Sequence, residues 1–200
     1  MAVDSADKTS FEKALRSVLR HDPDVVMIGE VRDGETANIA VKASLTGHLV
    51  FSTLHTNSAA GAVTRLADMG VERYLIASTL RLTIAQRLVR RLCPRCRSAR
   101  ELTQFEARTL NRPETAGRQV FEPVGCLYCG GRGYVGRLAL FEFLPLDESW
   151  STIIARGGDE GELIAEMKAR HLPTLVDDAL GKLAAGDTSF SEIRTAVAVW

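Results

Sequence analysis

Two short cysteine pairs, Cys93-Pro94-Arg95-Cys96 and Cys126-Leu127-Tyr128-Cys129, constrain this chain more than any other feature, and they hold all 4 of its cysteines. A C-x-x-C turn presents two thiolates to one tetrahedral ion, and a second such turn completes a closed four-sulfur shell. Pro94 stiffens the first turn, while Gly130, Gly131 and Gly133 after the second allow positive φ and close backbone approach. Structural Zn2+ held by Cys93, Cys96, Cys126 and Cys129 is the leading reading of this spacing. Redox and disulfide use are the alternatives, less suited to two matched pairs in an unsecreted chain. A shell of four thiolates leaves no open coordination position, so the metal would staple a small module and take no part in catalysis.

Around this staple the composition is ordinary. The 200 residues carry 25 Lys+Arg against 25 Asp+Glu, and 46% of them are hydrophobic. Such a chain can bury a core and is neither disordered nor collagenous. No run approaches the ~18–20 apolar residues of a membrane-spanning helix. The polar start, Met1 to Lys8, has no apolar h-region, so no secretory signal is expected. Zero net charge removes any global electrostatic argument for nucleic acid or anionic lipid. Neutrality conceals one biased stretch, however: residues 73–100 hold eight arginines and no acid. That stretch reads either as a solvated face or as a surface for an anion, a phosphate or an acidic partner.

Upstream of the cysteines, helical and extended patterns alternate. Residues 10–20 read as a helix with Phe11, Leu15, Val18 and Leu19 on one side, broken before Pro23. Val25 to Ile28 is a continuous apolar run of the kind found in a buried parallel strand. A helix over 34–45 follows, with Ala37, Ala40, Val41 and Leu45 inward, then a strand over 48–54. Ser58 is placed to cap a helix that closes at Gly70. The ladder Ile76, Leu80, Ile84, Leu88, Leu92 predicts one long helix over 71–92. Residues 97–125 read as a mobile insertion over the metal site, and 134–146 as a strand or hairpin. Four helical segments, near 150–156, 160–170, 174–185 and 189–198, complete the chain. Strands alternating with helices predict an α/β fold with a parallel sheet.

Two segments of that sheet carry candidate chemistry. The strand at Val25 delivers Glu30 to its carboxyl end, where open α/β sheets bind ligands. A carboxylate there can position Mg2+ or water beside a nucleotide's γ-phosphate, although Glu30 or Asp33 could equally be a helix N-terminal charge. The second strand, if parallel, brings His55, Thr56 and Asn57 beside Glu30, whereas His48 lies at its opposite end.

The run LRSVLRHDPDVVMIGEVRDGETANIAVKASLTGHLVFSTLHTNSAAGAVTRL, with the approach to the cysteines at 85–96 and the Gly125–Cys129 and Gly133–Arg137 segments, closely resembles the type II secretion and type IV pilus assembly ATPases (general secretion pathway protein E-like). The resemblance covers nearly the whole chain, thinning over 101–120 and the last fifty residues. It implies a partial RecA-like P-loop NTPase sheet, then the tetracysteine zinc module, then a C-terminal strand and helical region. The corresponding segments are 1–92, 93–132 and 133–200. Met27-Ile28-Gly29-Glu30 then corresponds to an atypical Walker B, with Gly29 where many ATPases have aspartate, and Gly47 to Asn57 to the histidine box. By the same resemblance Glu30, His55 and His48 are the catalytic candidates, with His55 nearest the γ-phosphate. Arg16, Arg20, Arg32 and Arg65 become candidates for phosphate sensing or intersubunit contact. The family implies ATP and Mg2+ in the complete ATPase, a homo-hexameric ring, inner-membrane secretion or pilus platform partners, and a bacterial cytoplasmic location at the inner-membrane face.

One departure matters. No G-x-x-x-x-G-K-[ST] occurs in these 200 residues, and the family's acidic box, expected upstream of Ser10, is missing too. Without that loop's N–H cradle and lysine, the chain alone is expected neither to bind ATP tightly nor to hydrolyse it. It therefore reads as the C-terminal part of such an ATPase, beginning about mid-domain. The competing reading is a non-catalytic zinc-ribbon module docking an acidic protein or nucleic acid through the arginine-rich face. A third is a degenerate paralogue acting as a scaffold in a mixed ring. Nucleic acid is the less expected partner, since Tyr74 is the only aromatic within the arginine stretch.

Overall fold

The computed structural model describes residues 8–197, the side chains of 8–12 and 16 excepted, so the expectations for Phe11 and Arg16 lie outside the described residues. Helix α1 (Lys8–Leu19) buries Leu15. Strand β1 (Val25–Ile28), helix α2 (Gly34–Leu45) and strand β2 (Leu49–Ser52) form a β-α-β unit. Its strands are parallel and in register from Val25 opposite Leu49 to Ile28 opposite Ser52. Asp33 starts α2, its carboxylate accepting the Thr36 N–H at 2.9 Å. Only glycine fits at position 34, because a Cβ there would lie 2.1 Å from the Met69 carbonyl oxygen.

The continuous apolar run of β1 was expected to be buried throughout, and it is not. Val26 and Ile28 are 5% and 2% exposed, whereas Val25 and Met27 are 54% and 65% exposed. Leu49 and Phe51 stand exposed beside them on β2. Only one face of this strand pair is covered among the described residues, so burial alternates with the period of two that a strand imposes.

Helices α3 (Gly61–Asp68) and α4 (Arg73–Thr79) come next. The single helix expected over 71–92 is instead α4 followed by strand β3 (Leu82–Leu92). A spacing of four is also an even spacing, so the Ile84, Leu88, Leu92 ladder suits one face of a strand as well as one face of a helix. The fold buries mainly the other face, Thr83, Ala85 and Val89, and leaves Ile84 and Leu88 exposed. Thr83, Ile84 and Val89, all β-branched, favour the extended form.

The chain divides into two compact units, residues 1–83 with 144–170 and residues 84–143 with 171–200. In the first unit, α4 packs against α6 (Glu148–Ala155), burying Ile76, Trp150 and Ile154. Helix α7 (Glu160–Ala169) buries Leu163 and Met167 and packs against α3. The Arg170 guanidinium sits 4.6 Å over the Trp150 ring.

In the second unit, β3 pairs with β6 (Tyr134–Pro145). The expected mobile insertion is an ordered element. Strands β4 (Ser98–Glu101) and β5 (Gln119–Glu122) pair antiparallel, with helix α5 (Gln104–Thr109) between them. Leu102, Ala107, Leu110 and Val120 are buried, Thr103 and Glu106 cap α5 reciprocally, and Arg100 pairs with both Glu106 and Glu122. Helices α8 (Leu175–Ala184) and α9 (Phe190–Val197) pack on β5. Their side chains meet the ribbon's outer edges. Asp178 accepts the Phe141 N–H at 2.8 Å, and the Lys182 ammonium donates to the Ala139 carbonyl at 2.7 Å. Glu192 accepts the Arg90 N–H at 2.9 Å, and the Thr188 hydroxyl donates to the Arg90 carbonyl. Among the described residues, no helix is long and apolar enough to cross a membrane.

Candidate functional site

Parallel pairing of β1 and β2 brings two segments together beyond the carboxyl ends of both strands. The Val31 N–H donates to the Thr53 carbonyl at 3.0 Å, and the Thr53 hydroxyl donates to the Gly29 carbonyl at 2.7 Å. These bonds extend the strand register past Ile28 and Ser52 and set Glu30 beside His55. The His55 Nε2 lies 3.1 Å from the Glu30 Oε2, and the Arg32 guanidinium pairs with Oε1. Arg32, and after it His55, holds the Glu30 carboxyl below the usual carboxylate range, while Glu30 raises the Arg32 guanidinium. Glu30 is therefore an ionised carboxylate at neutral pH with each oxygen bound to one basic side chain. An approaching polyphosphate would compete for Arg32 and His55, freeing the carboxylate to accept from water or a metal-bound ligand.

Of the residues singled out in the sequence, the structure brings together Gly29, Glu30, Arg32 and His55. His48 is not among them, because it precedes β2 and His55 follows it. The His48 Nδ1 lies 2.9 Å from the Ala43 carbonyl and 3.1 Å from the Thr46 hydroxyl. A carbonyl only accepts, so Nδ1 carries the proton and ties β2 to the end of α2. Arg20 is exposed just beyond α1 and Arg65 is exposed on α3. Among the described residues, Arg32 and His55 are the basic side chains that bond to Glu30. Sequence reading missed Thr53, the hydroxyl that bridges to Gly29. It also missed Glu160, which accepts a hydrogen bond from Ser58 across 102 residues and leaves no local signal.

The four cysteine sulfurs form the second centre, all lying within 4.8 Å of one another. Cys93 to Cys126 and Cys96 to Cys129 are each 3.9 Å, and Cys126 to Cys129 is 3.8 Å. A Zn–S bond of about 2.3 Å puts the sulfurs of a tetrahedral shell about 3.8 Å apart, so donor set and spacing fit such an ion. The Cys126 and Gly133 N–H groups donate to the Cys129 sulfur at 3.2 Å each, and the Gly125 N–H donates to the Cys96 sulfur at 3.3 Å. Burial pushes the Cys129 thiol up, but the Cys126 and Gly133 N–H groups, together with the Cys126 and Cys96 sulfurs, outweigh it and bring it down to about 6. Gly133 is forced by its φ of +73° and by Pro123, whose Cβ would lie 2.4 Å from any Cβ added there.

Most of the arginine-rich stretch is spent within its own unit. Arg90 pairs with Glu192 and stacks over Tyr134, while Arg91 lies 3.8 Å from Asp187. Arg95 stacks over Tyr128, Arg97 stacks over Phe121 and bonds to the Gly186 carbonyl, and Arg100 binds Glu106 and Glu122. Arg73 donates to the Gly158 carbonyl.

A profile described as "Type II/IV secretion system protein" matches residues 1–195. The "Type II secretion system protein E" of Aeromonas hydrophila is 48% identical over 185 residues, covering 92% of this chain and 36% of that protein. The "Type II secretion system ATPase E" of Vibrio cholerae is 45% identical over 184 residues, 92% of this chain and 36% of that protein. The "Type IV pilus assembly ATPase PilB" of Myxococcus xanthus is 44% identical over 187 residues, 92% of this chain and 33% of that protein. The chain thus spans about a third of the length of these relatives. Among solved structures, the pilus retraction motor PilT with bound ADP superposes over 96% of this chain and 45% of its own, with a TM-score of 0.65 and 25% identity. The Legionella pneumophila ATPase DotB covers 94% of this chain and 42% of its own, with a TM-score of 0.64 and 26% identity. Both share the α/β fold described above.

Proposed function

The chain belongs to the type II/IV secretion system protein family, and from that premise we propose that it supplies the Walker B and histidine-box part of a hexameric ATPase driving protein export or pilus assembly. The observation that carries this reading is the 3.1 Å contact between His55 and Glu30, two residues delivered by different parallel strands to the ligand-binding edge of the sheet. Glu30 is the group that orients the attacking water beside ATP and its Mg2+. Arg32 and His55 hold Glu30 ionised and exchange it for the γ-phosphate when nucleotide arrives. Gly29 gives a backbone carbonyl to Thr53 and keeps the segment extended into the site. His48 holds the amino end of β2 and acts from there. Arg16, Arg20 and Arg65 remain candidates for contacts with phosphate or a neighbouring subunit of the ring.

The β- and γ-phosphates need a P-loop, and the 200 residues contain no G-x-x-x-x-G-K-[ST]. Turnover therefore belongs to the complete, RecA-like ATPase at the cytoplasmic face of the inner membrane, together with its platform partners. Zn2+ on Cys93, Cys96, Cys126 and Cys129 supplies cross-linking of the second unit and no catalytic step. The rival reading, an arginine-rich docking module for nucleic acid or an acidic protein, is weakened because Arg90, Arg91 and Arg100 already face acids of the same unit.

Nucleotide titration and ATP turnover test the reading directly. The 200-residue chain is expected to show neither micromolar ATP binding nor turnover. In the complete ATPase, Glu30→Gln is expected to lower kcat by about 100-fold or more while ATP binding persists. Turnover by the short chain alone, or an active Glu30→Gln enzyme, would overturn it.

A further inference from the structure

His55 is held by its backbone, since its side chain is 82% exposed and rests on Glu30. The backbone that carries it is fixed at both ends. Upstream, Val31 and Gly29 bind Thr53. Downstream, the Ser58 hydroxyl donates to the Glu160 Oε1 at 2.5 Å and accepts the Gly61 N–H, the first of α3, at 2.8 Å. The Thr56 hydroxyl donates to the Ser58 carbonyl at 3.1 Å, and the buried Thr83 hydroxyl donates to the Ala59 carbonyl at 2.9 Å. Gly61 leaves no slack here, because a Cβ would lie 3.0 Å from the Ser58 Oγ and 3.2 Å from the Glu160 Oε1.

Helix α7 does not need this bond to stay in place, since Leu163 and Met167 are buried and α7 packs against α3. Apolar packing holds helices together but specifies their register loosely, whereas a directional bond to one hydroxyl fixes a point. That point lies three residues after His55 and one residue into α7.

We propose that Ser58 and Glu160 form a positioning latch. Through it α7, a helix remote in sequence, sets the path of residues 53–60 and so the approach of His55 to Glu30. The latch is a geometric claim. Its consequence for catalysis rests on the proposed role of His55 at the γ-phosphate. Glu160 touches no substrate and acts only through Ser58.

Ser58→Ala, Glu160→Ala, Glu160→Gln, the Ser58→Ala/Glu160→Ala double variant and the α7 control Glu162→Ala separate these claims. Each is made in the 200-residue chain and in the complete ATPase. Amide hydrogen exchange of residues 53–60 is expected to quicken roughly 3- to 10-fold in Glu160→Ala, the factor set by one lost net hydrogen bond, and by at least as much in Ser58→Ala, which also loses the bond from the Gly61 N–H. The double variant is expected to add nothing to Ser58→Ala. Glu160→Gln keeps an acceptor oxygen and is expected to match the parent, as is Glu162→Ala. In the complete ATPase, kcat is expected to fall by a similar factor in the alanine variants with KM for ATP unchanged, and to recover in Glu160→Gln. Unchanged exchange in both alanine variants, or equal damage from Glu162→Ala, would overturn the latch. Faster exchange with unaltered turnover would leave the latch standing and overturn the role of His55 instead.

Discussion

The two units of this chain solve the same problem, a small core, in opposite ways. The second unit is tied together by polar and sulfur groups, although Ile84, Leu88, Phe105 and Leu127 stay exposed. Four cysteines meet within 4.8 Å, Arg100 satisfies two carboxylates, and helices α8 and α9 bond to the ribbon's backbone. The first unit stays open. One face of its two-stranded sheet shows Val25, Met27, Leu49 and Phe51 to solvent, and Arg32 and His55 stand exposed beside a half-buried Glu30 at the strand ends. Closure suits a part whose purpose is to hold shape. Exposure suits the role proposed for Glu30, Arg32 and His55, in which side chains change partners when nucleotide arrives.

The sharpest way to break this contrast is to strip the Zn2+ proposed for the four cysteines. Chelation at neutral pH, or Cys126→Ser, is expected to strip amide-exchange protection from residues 84–143 and 171–197, since structural Zn2+ can contribute on the order of 10 kcal/mol of folding energy. Residues 25–80 are expected to keep their protection. Equal loss in both units would show that closure is shared. A smaller effect separates the two faces of β1. Ile28→Ala is expected to cost about 2–5 kcal/mol in denaturant melts, as for other buried large-to-small changes. Met27→Ala, on the open face, is expected to stay within about 0.5 kcal/mol. Comparable losses would mean that the open face is covered in solution.

Acid sharpens the contrast least. Arg90 holds the Glu192 carboxyl below its ordinary range. Burial pushes Glu106 and Asp177 up, but hydrogen bonds from Arg100 and Thr103, and from Thr174 and Arg112, outweigh it and lower both. A lowered carboxylate contributes stability that is complete above its ordinary value of about 4 and is lost as pH falls through the lowered one. Melts between pH 5 and 3, with release of any Zn2+ followed in parallel because thiolate ligands also protonate in acid, are therefore expected to weaken the second unit on acidification. Arg90→Ala is expected to reduce the loss due to Glu192 by no more than about 1 kcal/mol, because Arg90 is largely exposed. Stability that rises on acidification in this window would contradict that assignment.

What was legible in the sequence was what is decided locally or by strand direction. The cysteine spacing brings four sulfurs together regardless of the rest of the chain. The β1-α2-β2 alternation places Glu30 and His55 at one edge as soon as the strands are parallel. The strand β3 was misread because its apolar spacing of four serves either period, and the decision came from pairing with β6, some fifty residues on. The partners of the arginines were equally invisible, since Glu192 and Asp187 lie about a hundred residues downstream. The order of 97–125 rested on Arg100 meeting Glu122 across a hairpin, again a tertiary fact.

The bonds from Asp178, Lys182, Glu192 and Thr188 to the outer edges of β3 and β6 bear on how this molecule can be approached. A bare ribbon edge invites another chain to add a strand, the route both to amyloid-like stacking and to peptide capture by main-chain pairing. Here the Arg90 N–H and C=O on β3, and the Phe141 N–H and Ala139 C=O on β6, are already occupied. At those positions a partner must recognise side chains, and its choice can be altered by point substitution without disturbing the sheet.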